Sequence, residues 1–101
     1  MASTFKNYTV EGTTGGATLY TVPASTTGVI IGLNLANKSS SAVTASVQLG
    51  SSYLIKDATI PAGSALSVLD GKIIAETTEV ITVTASDDSA VDAILSVLEQ
   101  S

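Results

Sequence analysis

The sequence predicts an all-β protein, an antiparallel β-sandwich of immunoglobulin-like or jelly-roll-like type with about eight short strands. Three observations carry this expectation. First, β-branched residues abound, with 14 Thr, 10 Val and 8 Ile among 101 residues. Such side chains are stiff at χ1 and fit a pleated, half-buried surface better than a helix. Second, apolar and polar residues alternate with period two along most segments. Third, clusters of Gly, Pro, Ser and Asp interrupt these segments about every eight to twelve residues, the spacing of a sandwich or small barrel.

The elements follow in order. Phe5 to Val10 reads as a short strand or arm, and Glu11-Gly12-Thr13-Thr14-Gly15-Gly16 interrupts it. Ala17 to Val22 alternates, with Leu19 and Tyr20 expected on opposite faces, and stops at Pro23, which cannot donate to a ladder. Gly28 to Asn37 is the clearest strand. Val29, Ile31, Leu33 and Leu35 are expected on its apolar face, with Ile30, Gly32, Asn34 and Ala36 on the other. The polar stretch Lys38 to Ser41 links it to a second alternating run, Val43 to Leu49, as in a hairpin.

Tyr53 to Lys56 is expected to pair back onto that run, and Ala58 to Ile60 leads into the corner Pro61-Ala62-Gly63-Ser64. This corner echoes Pro23-Ala24-Ser25-Thr26, each preceded by Thr and an apolar residue. Ala65 to Leu69 and Lys72 to Ala75 flank Asp70-Gly71, a tight-turn signal, and read as a hairpin. Glu79 to Ala85 alternates, with Ile81, Val83 and Ala85 facing one way. Ala90 to Glu99 fits both helical and strand periods. A strand is chosen because the preceding segments are all β, which leaves Ile94 and Leu98 on a face needing cover from a neighbour.

The length suits one domain. Residues 1–16 are expected to form an N-terminal arm or edge strand, and 17–101 a single sandwich domain. With only Phe5, Tyr8, Tyr20 and Tyr53 as aromatics, the core must be built of small aliphatics. Phe5 and Tyr8 lie ahead of a Gly- and Thr-rich hinge, so they are the candidate contacts to a neighbouring subunit or a capsid; the alternative is that they cap their own core. On that reading, deleting residues 1–11 leaves the domain folded and weakens assembly.

Composition also narrows function. The chain has no Cys, His, Arg or Trp. Disulfides, thiolate chemistry, imidazole bases and Cys or His metal ligands are therefore excluded. Four Lys against nine Asp and Glu give a net charge of −5, a poor match to a phosphate backbone, so no nucleic-acid partner is expected. No apolar run approaches the ~20 residues of a membrane helix, and no apolar leader core follows Met1-Ala2-Ser3-Thr4-Phe5-Lys6, so neither membrane insertion nor secretion by a leader is expected.

Ser and Thr have no His to activate them, and Lys6, Lys38, Lys56 and Lys72 stand apart. Asp87, Asp88 and Asp92 lack the alternating ligands and central Gly of a Ca²⁺ loop and read as a solvated turn. No enzyme activity, cofactor or metal is expected.

Four stretches together resemble small virion structural proteins of tailed bacteriophages. They are Leu19-Tyr20-Thr21-Val22-Pro23-Ala24; Gly28-Val29-Ile30-Ile31-Gly32-Leu33-Asn34-Leu35-Ala36-Asn37; Tyr53-Leu54-Ile55-Lys56 ahead of Ile60-Pro61-Ala62-Gly63; and Ala93-Ile94-Leu95-Ser96-Val97-Leu98-Glu99. The resemblance runs from about residue 17 to the end and carries no catalytic residues. It implies a β-sandwich assembled on the particle, foremost as a capsid decoration (cement) protein that binds the outer capsid surface and reinforces the head. The alternative it implies is a tail, neck or fibre domain, with receptor or carbohydrate binding as a variant. The implied partners are the major capsid protein or other virion subunits and further copies of the chain, as a trimer or dimer. The implied location is the virion, assembled in the host cytoplasm.

Overall fold

The computed structural model describes residues 3–69 and 71–101, and among these the chain forms nine strands and no helix. They are β1 (Ser3–Glu11), β2 (Ala17–Thr21), β3 (Thr27–Asn37), β4 (Val43–Leu49), β5 (Ser52–Ile60), β6 (Ala65–Ser67), β7 (Ile73–Ala75), β8 (Val80–Ala85) and β9 (Val91–Gln100). The ambiguous last segment is thus a strand. The strands form two antiparallel sheets packed as a β-sandwich. One sheet has the order β1-β9-β3-β6, with β7 also on β3, and the other has the order β2-β8-β4-β5.

The β6–β7 hairpin expected from sequence does not form. Both strands pair antiparallel with β3, β6 along Asn34 to Ala36 and β7 along Gly28 to Ile30, so they lie end to end. The Val68 amide continues the ladder by donating to Leu33 O at 2.9 Å. Asp70, the first residue of the expected turn, lies outside the described residues. Taking β6 and β7 as one interrupted strand leaves eight, in orders 1-8-3-6 and 2-7-4-5. That is the connectivity of a jelly roll, in which the chain crosses between sheets at most turns.

Two bulges move side chains from their expected faces. In β3 the register against β9 shifts between Ile30 and Gly32, which inserts Ile31. A one-residue insertion reverses the alternation beyond it. Gly28 and Ile30 therefore face inward on one side of the bulge, and Leu33, Leu35 and Asn37 on the other, while Val29 is half-buried and Ile31 is at the surface. In β2 a shift between Thr18 and Tyr20 lets Leu19 and Tyr20 both be buried.

The core between the sheets is almost wholly aliphatic. Ile30, Leu35, Val47, Ile60, Ile81, Val83, Val91, Leu95 and Val97 are fully enclosed, with Tyr20 the one buried aromatic among the described residues. β9 shows the alternation plainly: Val91, Ala93, Leu95 and Val97 point inward, and Asp92, Ile94, Ser96 and Leu98 outward.

Each end of the sandwich is closed by loop hydrogen bonds. At one end Gly12 N–H donates to Val91 O (2.9 Å), Ala85 N–H to Thr13 O (2.9 Å), Lys38 N–H to Ala90 O (2.9 Å) and Asn37 N–H to Ser64 O (2.8 Å). At the other, Val22 N–H donates to Glu79 O (2.9 Å) and Gly50 N–H to Val80 O (2.8 Å).

The two echoed corners match at one backbone position. Val22 and Ile60 are both buried, and Ser25 (φ 56°) and Gly63 (φ 70°) occupy the same left-handed position.

Candidate functional site

β1 places its two aromatics on opposite faces. It pairs with β9 from Ser3–Gln100 to Glu11–Asp92 without a bulge. Residues directly opposite in an antiparallel pair point the same way. Phe5 therefore joins Leu98 on the outer face, where it is 73% exposed. Tyr8 joins Leu95 on the inner side, half-buried, with its ring centroid 4.6 Å from that of Tyr20. The Gly- and Thr-rich segment after β1 is fixed by the Gly12 and Thr13 bonds above, and Thr14 N–H also donates to Asp88 Oδ1 at 2.8 Å.

Beneath Tyr8 lies a polar cluster that sequence reasoning missed. Glu99 continues the inward series of β9 after Val97 and is only 8% exposed. Its carboxylate accepts from the Tyr20 hydroxyl at 2.7 Å and from the Tyr8 hydroxyl at 3.2 Å. The Lys6 ammonium sits 3.1 Å from its other oxygen. The Tyr20 bond, helped by Lys6 and Tyr8, holds the Glu99 carboxyl below its ordinary range against the opposing effect of burial. Burial, then the bond to Glu99, pushes the Tyr20 phenol far up, and Tyr8 moves the same way. The bond to Glu99 raises Lys6. The signal was present in sequence, since Glu99 occupies an inward position of an alternating strand. The cluster ties β1, β2 and β9 together.

A second charged group lies at the far end of the same sheet. Lys38 bridges Glu11 and Asp92, with Nζ 2.9 Å from Asp92 Oδ1. Beside it is a shallow recess of about 350 Å³ lined by Thr9, Val10, Glu11, Asp92 and Ile94. Asp88 accepts from the Thr14 amide and ties two loops together, and Glu79 accepts from the Glu76 amide at 2.7 Å and closes its own turn. Among the described residues no three carboxylates gather as metal ligands.

The outer face of the five-stranded sheet is the most distinctive surface. Phe5, Ile31, Ile74 and Ile94 are all exposed on it.

No family model matches the sequence, and no curated protein matches it. Its fold is similar to that of a solved chain. That chain belongs to the acidic stable capsid structure of Helicobacter pylori bacteriophage KHP30. The two align with a TM-score of 0.60 over 98% of this chain and 87% of that one, at 14% identity. At this identity the alignment shows a shared fold alone.

Proposed function

We propose that this chain is a non-enzymatic structural protein of a tailed-phage particle, seated on the outer capsid surface as a decoration subunit that reinforces the head. The observation that carries this reading is the fold match, which spans nearly the whole chain and leads to a protein of a phage capsid structure. The jelly-roll connectivity supports it as an analogy at the level of fold, since capsid proteins use that architecture repeatedly.

Side-chain chemistry agrees with a structural role. The ion pairs among the described residues join strands or loops: Lys6 with Glu99, and Lys38 with Glu11 and Asp92. The chain has no His, so no Ser or Thr is paired with an imidazole base. The proposed partners are the major capsid protein and further copies of the chain.

Quantitative mass spectrometry of purified particles tests the reading. Decoration requires a copy number comparable to that of the major capsid protein. A few copies per particle would place the chain in the tail, neck or fibre instead, and its absence from the particle would reject a virion role.

A further inference from the structure

The five-stranded sheet carries an apolar row across its full width on the outer side. Phe5 lies opposite Leu98, Leu98 opposite Val29, and Val29 opposite Ile74, so the row crosses β1, β9, β3 and β7. Ile31 projects from the bulge next to this row, and Ile94 lies farther along β9. Of the five large hydrophobics exposed among the described residues, four are here: Phe5 (73%), Ile74 (52%), Ile94 (44%) and Ile31 (40%). The outward positions between them on β1, β9 and β3 carry Ser, Thr, Asn, Gln or Gly, and charge begins only at Glu11 and Asp92. An antiparallel sheet that faces water normally puts polar side chains outward, so a face of this kind marks a contact surface.

We propose that this face packs against the same face of a second copy, sheet on sheet about a two-fold axis. Charge selects that occupant. Each chain carries −5, so two copies repel through most of their surfaces. On this face they meet without burying like charges. Along β1, β9 and β3 a basic partner would find outward carboxylates only at Glu11 and Asp92, where Lys38 offsets one of the two charges.

Area agrees. The eight paired positions short of Glu11–Asp92, at ~3.4 Å, and four strands at ~4.8 Å give a face of about 520 Å² per copy. Two such faces bury about 1,040 Å², just above the roughly 1,000 Å² that a specific interface needs. The face is its own complement, as a two-fold contact requires, and pleated sheets stack in this way inside the sandwich itself. The inference concerns the isolated chain and stands apart from the virion reading.

Sedimentation equilibrium of the purified full chain across a concentration series tests it. The wild type should dimerise reversibly. The double variant Phe5→Glu/Ile74→Glu sets carboxylates against carboxylates and should weaken dimerisation by at least about tenfold. Both residues are exposed, so its circular dichroism and monomer unfolding should match the wild type. Tyr53→Glu, on the opposite sheet, should dimerise as the wild type does. A wild type that stays monomeric overturns the proposal, as does a dimer indifferent to the double variant. A chain monomeric on its own that binds capsid shells through Phe5 and Ile74 also overturns it, and gives the face to the capsid.

Discussion

The Tyr20 hydroxyl donates to the Glu99 carboxylate at 2.7 Å inside the sandwich, and the Lys6 ammonium closes the same carboxylate from the rim at 3.1 Å. A hydrogen bond to a charged group contributes about 1.5–3 kcal/mol, so Tyr20→Phe should destabilise the fold by that order. The pH dependence has two limbs. Glu99 titrates below its ordinary value of 4.5 when folded, so its contribution is complete above about pH 4.5 and fades as pH falls through the lower folded value. Tyr20 and Lys6 titrate above their ordinary 10.0 and 10.5, so their contributions are complete below about pH 10 and fade as pH rises. Urea unfolding across pH should show wild-type stability falling below pH 4.5, with a smaller fall in Glu99→Gln. Equal falls in the two proteins would remove Glu99 from the acid limb.

Gly28 makes room for this contact. It lies opposite Glu99, and a Cβ there would stand 3.3 Å from Tyr20 Cε2, Tyr20 Oη and Val97 Cγ2. Gly28→Val should therefore displace the Tyr20 ring and cost about 1–3 kcal/mol, in the range of overpacked cores. In a Tyr20→Leu background the ring is gone, and most of that added cost should vanish. A penalty that persists undiminished would point to Val97 or the backbone as the source.

Deleting residues 1–11 should destabilise the domain. The sequence, with its glycines after Val10, leads one to expect a detachable arm. β1 pairs with β9 at nine positions, packs Tyr8 and Val10 on the core, and supplies two of the three partners of Glu99. Losing the burial of Tyr8 and Val10 alone costs on the order of 3 kcal/mol. Thermal unfolding of the truncated chain should shift clearly downward, and an unchanged midpoint would restore the arm.

The fold class was legible because alternation survives wherever strands run without insertions, as in Ile81-Val83-Ala85 on β8 and Val91-Ala93-Leu95-Val97 on β9. Bulges defeat that rule locally. Ile31 and Leu19 each sit at a register shift, and a shift depends on the partner strand, which a single sequence does not contain. Asp70-Gly71 carries the residues of a hairpin, yet β6 and β7 both follow β3, because long-range pairing overrode the local signal. The outer apolar row was half legible. Ile94 and Leu98 already read as needing cover, whereas the alignment of Phe5, Leu98, Val29 and Ile74 required the register of four strands.

Asn37 is the buried polar residue that fastens the β3–β4 loop. Its amide Nδ2 donates to Ser41 O (2.8 Å) and Ile60 O (2.9 Å), and its Oδ1 accepts from Ser39 N–H (2.9 Å) and the Ser39 hydroxyl (2.7 Å). Asn37→Ala strands these groups and should cost about 1–3 kcal/mol. Asn37→Asp keeps the shape but aims a carboxylate at two carbonyl oxygens, so near neutral pH it should destabilise more than Ala. Protonation restores one donor, so acidification should recover part of the loss in Asp and none in Ala. Denaturant midpoints of the two variants at neutral and acidic pH separate these outcomes.

The echoed corners give a matched pair of backbone tests. Ser25 and Gly63 hold the same left-handed position after Pro-Ala, at φ 56° and 70°. At Gly63 a Cβ would meet no heavy atom within 4 Å, so Gly63→Ala carries no steric clash with the rest of the fold. The left-handed conformation costs an L-residue about 1–2 kcal/mol. A smaller entropy loss on folding returns about 0.4–1 kcal/mol of that. Gly63→Ala should thus destabilise by somewhat under about 1 kcal/mol, a fall of roughly 4 °C in the unfolding midpoint of a domain this size. Ser25→Gly reverses the same two contributions and should raise the midpoint by a similar or smaller amount. Calorimetry of both variants decides the matter. Shifts of opposite sign confirm that one backbone conformation governs both corners, and shifts of the same sign would show that contacts of the Ser25 side chain outweigh its φ.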